Sequence, residues 1–290
     1  LRKNKEIIHF IFFLLVINVA KASSENIPMG ARSAGMGHAN TANLDTWATF
    51  NNISGIATLD IINAEFSLER RFNFSAFDVL GAAINLPLQY TPLKYGNVGL
   101  GFNRFGNELY NETRANIGFA HHIRGVSLGI QAEYVQLAIT DLASKGNLVI
   151  NFGGMTNITP RFRFGAHIYN LNQAKLATYK NERIPTIMKA GFSYFPIKKL
   201  FLNAEIEKDV ELSPRFKAGL EYAIIDKFFV RTGFNVNPDK YYFGAGFQNH
   251  RFQFNYAITV HSQIGAIHTM GIGLLFKPKK TYLNKDRQDD

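Results

Sequence analysis

The clearest signal along the chain is a hydrophobic period of two. From about Ile61 to Phe276, roughly fourteen segments of about 8 to 11 residues alternate apolar with small or polar positions, separated by polar turns. Between Arg251 and Val260, Phe252, Phe254, Tyr256, Ile258 and Val260 fall on one face, and Arg251, Gln253, Asn255, Ala257 and Thr259 fall on the other. Phe216, Ala218, Leu220 and Tyr222 alternate in the same way with Arg215, Lys217, Gly219 and Glu221. Such segments predict strands whose two faces meet different surroundings. Helix-period stretches of comparable length are absent from the sequence.

A soluble sandwich would also alternate, so the nature of the second face decides. It carries Gly, Ala, Ser, Asn and Gln, which suit the crowded interior of a barrel better than a solvated surface. The even strand number and the spacing of about 15 residues leave room for a membrane-length strand plus a turn. The connections alternate in length, with long ones expected at Gly106 to Thr113, Val135 to Gly146 and Asn170 to Arg183. Tight ones are expected at His122 to Gly125 and Pro196 to Lys199, with Pro87 to Lys94 as a longer exception. These features predict an all-β fold: a transmembrane antiparallel β-barrel of about 14 strands preceded by a short plug-like segment.

Composition sharpens this reading. Across 290 residues the apolar share is 46% and the charged share 19%, with a mean hydropathy of −0.08. A helical membrane bundle would be far more apolar, whereas alternation averages lipid-facing and lumen-facing positions to near zero. The absence of cysteine excludes a disulfide framework and thiolate metal sites. Arg2, Lys3 and Lys5 precede an apolar stretch from Ile7 to Ala20, followed by Ala20-Lys21-Ala22. This reads as a signal peptide over 1–22, cleaved near Ala22 for export to a Gram-negative outer membrane. Its removal takes away four bases and one acid, so the formal charge of +10 falls by three. No nucleic-acid partner and no cofactor is implied. The remaining organisation is a Gly-rich segment over 23–59, the barrel over 60–276 and a charged tail over 277–290.

The segment before the first strand is the most motif-like. Gly30, Arg32, Ser33, Gly35, Met36 and Gly37 lie in the run Met29-Gly30-Ala31-Arg32-Ser33-Ala34-Gly35-Met36-Gly37, and Asn52, Gly55 and Ala57 follow in Asn52-Ile53-Ser54-Gly55-Ile56-Ala57. These motifs, with the strand count and the final strand Met270 to Phe276, resemble the PorV/PorQ-type group of FadL-like outer-membrane proteins of the Bacteroidota. Ile53 and Ser54 stand where that group has Pro and Ala. The resemblance implies a fourteen-stranded barrel with the Gly-rich segment inside or beneath it. It implies two functions: a subunit or accessory of a type IX-like secretion or surface assembly, with outer-membrane lipid and protein partners, or a FadL-like channel for hydrophobic or small solutes. A soluble secreted β-protein is the third reading.

Strand parity places Glu65, Glu69, Glu133, Glu205, Glu207 and Glu221 inward, together with Arg163, Lys189, Arg215, Lys217 and Arg231. The near balance favours cross-strand pairing over an ion-selective ring. If facing residue numbers sum to 422 about Glu211, Glu207 meets Arg215 and Glu205 meets Lys217. A hairpin about Asp226 sets Glu221 opposite Arg231. His121 and His122 are adjacent and point to opposite faces, so they cannot chelate one metal. No nucleophile elbow, metal-ligand motif or phosphate loop is present, and an enzyme is not expected.

Overall fold

The computed structural model of the chain describes residues 26–88, 95–175, 184–261 and 264–276. The expected signal peptide and charged tail lie outside the described residues. Fourteen strands form one closed antiparallel barrel: β1 (Ile62–Arg71), β2 (Val79–Pro87), β3 (Asn97–Gly106), β4 (Tyr110–Ile123), β5 (Val126–Ile139), β6 (Ala143–Thr159) and β7 (Phe162–Tyr169), then β8 (Ile187–Ile197), β9 (Leu200–Asp209), β10 (Arg215–Ile225), β11 (Phe228–Val236), β12 (Lys240–Gln248), β13 (Phe252–His261) and β14 (Gly265–Phe276). Each strand pairs with its sequence neighbours, and β1 closes on β14 with Ile62 opposite Phe276 and Arg71 opposite Ile267. Closure satisfies the strand backbone within the sheet, as a hydrocarbon environment requires. No helix among the described residues is long and apolar enough to cross a membrane.

The alternation translates into two surfaces. Phe66, Phe102, Ile117, Ile130, Phe254 and Ile272 are exposed on the outside, whereas Glu65, Asn103, Asn116, Gln131, Asn255 and Thr269 are buried inside. An apolar exterior around a polar interior is the pattern of a barrel that spans lipid. Trp47, the single tryptophan, takes no part in an interfacial girdle, because it is buried within the lumen. Tyr134, Tyr194 and Tyr222 are exposed on the outer surface.

The two ends of the barrel differ. At one end, called here the turn end, the links 124–125, 160–161, 198–199 and 226–227 contain two residues each. Arg124 and Gly125 both have positive φ, 49° and 90°, the geometry that matches a two-residue link to the strand twist. At the other end, the loop end, two of the expected long loops are strand. β4 begins at Tyr110, β5 continues to Ile139 and β6 starts at Ala143, so the supposed loops at Gly106 to Thr113 and Val135 to Gly146 shrink to 107–109 and 140–142. The reason is ladder pairing: Glu112 faces Leu137 and Gln136 faces Gly146, carrying the hairpins well past the neighbouring strands. The long connection that stands is 170–186, of which 176–183 lie outside the described residues.

Candidate functional site in the barrel lumen

The segment before β1 lies inside the barrel. It contains two short helices, α1 (Ala31–Gly35) and α2 (Ala48–Asn51), and a 3-10 turn at Ile53–Ile56, and nearly all of residues 27–57 are buried. Its local shape is fixed by its own polar side chains. The Asp45 carboxylate accepts from the Ala48 amide at 3.0 Å at the start of α2. The Asn51 amide exchanges two hydrogen bonds with the Met29 backbone, at 3.1 and 3.0 Å. Asn52 accepts from the Ser54 hydroxyl at 2.8 Å and donates to the Thr41 carbonyl at 2.6 Å, tying the second motif to the middle of the segment.

Small wall residues make room for this plug. A Cβ built at Gly219 would lie 2.2 Å from the Met36 carbonyl oxygen, and one at Gly165 would lie 2.3 Å from the Thr41 carbonyl oxygen. Only glycine lets the two backbones approach so closely. Apolar contacts complete the seat. Ile27, Met29, Trp47 and Phe50 pack on Val79 and Ala83, while Ile53 and Ile56 cluster with Ala120.

Polar wall residues then bind the plug from most sides. Glu205 on β9 accepts from the Asn40 amide at 2.8 Å, the Thr41 amide at 2.8 Å and the Thr41 hydroxyl at 2.7 Å. Asn203 donates to the Ala39 carbonyl at 2.6 Å, and Ser193 on β8 donates to the Ala42 carbonyl at 3.2 Å. Gln131 on β5 donates to the Thr49 carbonyl, and Asn97 on β3 donates to the carbonyls of Ile56 and Leu59. Arg32 on α1 donates to both oxygens of Glu221 on β10, at 2.9 and 2.8 Å.

The first motif therefore lies along one side of the lumen. Arg32 carries its charge contact. Ser33 accepts from the Asn40 side chain at 2.7 Å. Gly30 lies against Trp47, Gly35 against Gly244 and Arg231, Met36 against Gly219 and Gly37 against the Ala218 carbonyl. Gly55 of the second motif lies against Asn43 and Ala48.

The wall charges pair as facing neighbours. Arg215 lies opposite Glu207, Lys217 opposite Glu205 and Glu221 opposite Arg231. Lys217 Nζ is 3.1 Å from Glu205 and 2.6 Å from Glu207, Arg215 is 3.4 Å from Glu207, and Arg231 Nε is 2.6 Å from Glu221. Lys189 joins the same set at 3.7 Å from Glu207. A second cluster joins Arg114 with Glu112 and Glu133, at 3.6 and 3.7 Å, beneath the loop end of β4 and β5. Sequence reading missed Glu112 and Arg114 because it began that strand too late. Strand parity carried back to Tyr110 finds both.

Buried titratable groups in the plug respond to enclosure. Burial raises the Asp45 carboxyl above its ordinary value, opposed by the nearby Arg32 guanidinium. His38 is held well below 6.5 by desolvation and by the positive field of Lys217, Lys240, Lys189 and Arg71. Its Nδ1 lies 3.2 Å from the Ser33 hydroxyl and its ring meets Tyr242 edge-on at 5.7 Å.

The surroundings of the plug differ between the two ends. Toward the turn end, a cavity of about 310 Å³ is lined by Arg32, Asp45, Glu65, Glu221, Arg231 and Asn255, among others. Toward the loop end, Val135, Val149, Tyr169, Ile184 and Ile187 form a buried apolar cluster. Among the described residues no group of histidines and carboxylates is arranged to hold a metal ion.

The closed fourteen-stranded antiparallel barrel matches the fold of solved FadL-like outer-membrane barrels. The chain is similar over nearly its whole length to the CymD monoaromatic hydrocarbon channel, with a TM-score of 0.65, 10% identity, and coverage of 88% of this chain and 100% of that chain. The Pseudomonas putida toluene transporter TodX matches with a TM-score of 0.63 and 12% identity over 87% of this chain and 97% of that one. A Pseudomonas aeruginosa FadL homologue matches with a TM-score of 0.61 and 11% identity over 86% and 98%. At such identities the likeness is one of fold. No protein-family model and no curated protein matches the sequence.

Proposed function

We propose that this protein is an outer-membrane channel for small apolar solutes, gated by its N-terminal plug. The observation that carries the reading is a lumen filled by a segment of the same chain, held by side-chain hydrogen bonds and ion pairs that can open while the barrel ladder stays closed. Three further features support it. The fold is that of barrels described as hydrocarbon and toluene channels. Val135, Val149, Tyr169, Ile184 and Ile187 pack together as a buried apolar cluster at the loop end, a dry stretch for an apolar solute to cross once that packing opens. Short turns belong on the periplasmic side of such barrels, which assigns the loop end to the outside. The type IX-like secretion role rests on the motif resemblance, the balanced lumen charges and the modest loops, and the likeness in fold to hydrocarbon and toluene channels favours the channel.

Purified barrel in liposomes tests the proposal. Wild type is expected to speed entry of toluene-sized solutes over empty liposomes and to exclude sugars. Removal of residues 26–59 is expected to admit both. Absence of solute flux through either form would overturn the channel reading.

A further inference from the structure

We infer that the turn end of the barrel is a binding ring for anionic phospholipid headgroups. Five successive links at this end carry exposed cations: Arg124 after β4, Arg161 after β6, Lys198 and Lys199 after β8, Lys227 after β10 and Arg251 before β13. The acids in the described residues at this end are Asp60 and Asp226. None of the six cations forms an ion pair among the described residues, in contrast with the buried charges of the lumen. At the loop end the signs are mixed. Arg70 pairs with Asp78 at 2.7 Å, and Glu108, Asp141, Glu211 and Asp239 accompany Arg104, Lys145 and Lys175.

Position selects the occupant. Arg124 lies between Ile123 and Val126, Lys198 follows Ile197, Lys227 lies between Ile225 and Phe228, and Arg251 precedes Phe252, all exposed apolar side chains on the outer surface. Arg161 adjoins Phe162, whose ring stacks on the exposed Phe192 at 5.1 Å. Each cation is thus one or two residues beyond the end of the lipid-facing band, at the depth where headgroup phosphates lie. Long basic side chains there keep their stems against hydrocarbon and their charges in the headgroup layer. A ring of exposed cations at that level attracts an anionic leaflet and is screened by salt. A protein partner would have to cover a circle interrupted by the plug's exit, whereas lipid already surrounds it.

The test uses the full barrel in mixed micelles holding equal amounts of phosphatidylglycerol and phosphatidylcholine with identical acyl chains, with retained lipids counted by native mass spectrometry. Wild type is expected to keep phosphatidylglycerol at least about threefold over phosphatidylcholine at low ionic strength, and to lose the preference in high salt. The combined substitution R124Q, R161Q, K198Q, K199Q, K227Q and R251Q is expected to bring the ratio to about one, while R104Q, K145Q and K175Q at the opposite end leave it unchanged. A wild-type barrel indifferent to headgroup overturns the inference and leaves the ring to an acidic protein. Undiminished preference in the six-site variant, or equal loss in the opposite-end variant, overturns it as well.

Discussion

Arg32 in the plug and Glu221 in the wall are 189 positions apart and share a two-pronged contact, with Nε donating to Oε2 at 2.9 Å and Nη2 donating to Oε1 at 2.8 Å. Glu221 also takes Arg231 at 2.6 Å, so one carboxylate bridges a guanidinium from the wall and one from the plug, and Asp45 at 3.5 Å from Arg32 supplies the second negative charge. R32A leaves Glu221 paired with Arg231 and is expected to weaken plug seating by about 2 kcal/mol, the scale of hydrogen bonds to a charged group. E221A takes the carboxylate from buried Arg231, which keeps only Asn255, and from half-buried Arg32, which keeps Asp45, and should cost more, on the order of 3 kcal/mol. Hydrogen exchange of amides 30–45 reads both, and equal exchange in R32A and wild type would show that the contact does not hold the plug.

Glu205 is the second anchor, with three donors from Asn40 and Thr41 on one oxygen and Lys217 at 3.1 Å on the other. E205A removes the acceptor from two buried backbone amides, so it should loosen residues 38–43 and increase sugar leakage in liposome swelling. E205Q keeps an acceptor and should leak less than E205A. Identical swelling for both variants would count against the anchor.

Close backbone approach makes a sharper prediction. G219A places a methyl group 2.2 Å from the Met36 carbonyl oxygen, where backbone has to shift. G154A meets only Leu128 at 3.7 Å, an ordinary contact. The first should lower the unfolding temperature and expose Met36 to oxidation, and the second should do neither. Equal behaviour of the two would refute the packing described here.

His38 gives the pH dependence. Its proton affinity in the seated plug is far below the free value of 6.5, so a released plug binds a proton that the seated one refuses. Seating is therefore unaffected well above pH 6.5 and weakens as pH falls through that value. Asn tolerates the His38 backbone at φ 55°, which makes H38N the control. Exchange of amides 30–45 should rise between about pH 7.5 and 5.5 in wild type and stay flatter in H38N. A parallel rise in both would move the effect elsewhere.

The barrel was legible in the sequence because strand alternation is local and lipid enforces it at every second position. The register between β9 and β10 was legible for the same reason: opposite charges at Glu205, Glu207, Arg215 and Lys217 leave one alignment that pairs them, and the ladder has it. Strand ends were less so. Gln136 and Ser144 look like loop residues, yet they bond to each other across β5 and β6 at 2.8 Å, in a stretch that rises past its neighbours. The plug's attachments were hidden altogether. Glu205 to Thr41 and Arg32 to Glu221 join residues more than 160 positions apart, and no period or spacing encodes such a meeting.

β1 closes the barrel against β14 and follows directly on the plug. The strand that must receive the last stave of the cask is also the one to which the plug is spliced. A finished cylinder presents no free edge, so a stopper supplied afterwards would have to be threaded through the mouth. This stopper precedes the first stave in the chain, so the vessel and its stopper are one continuous piece.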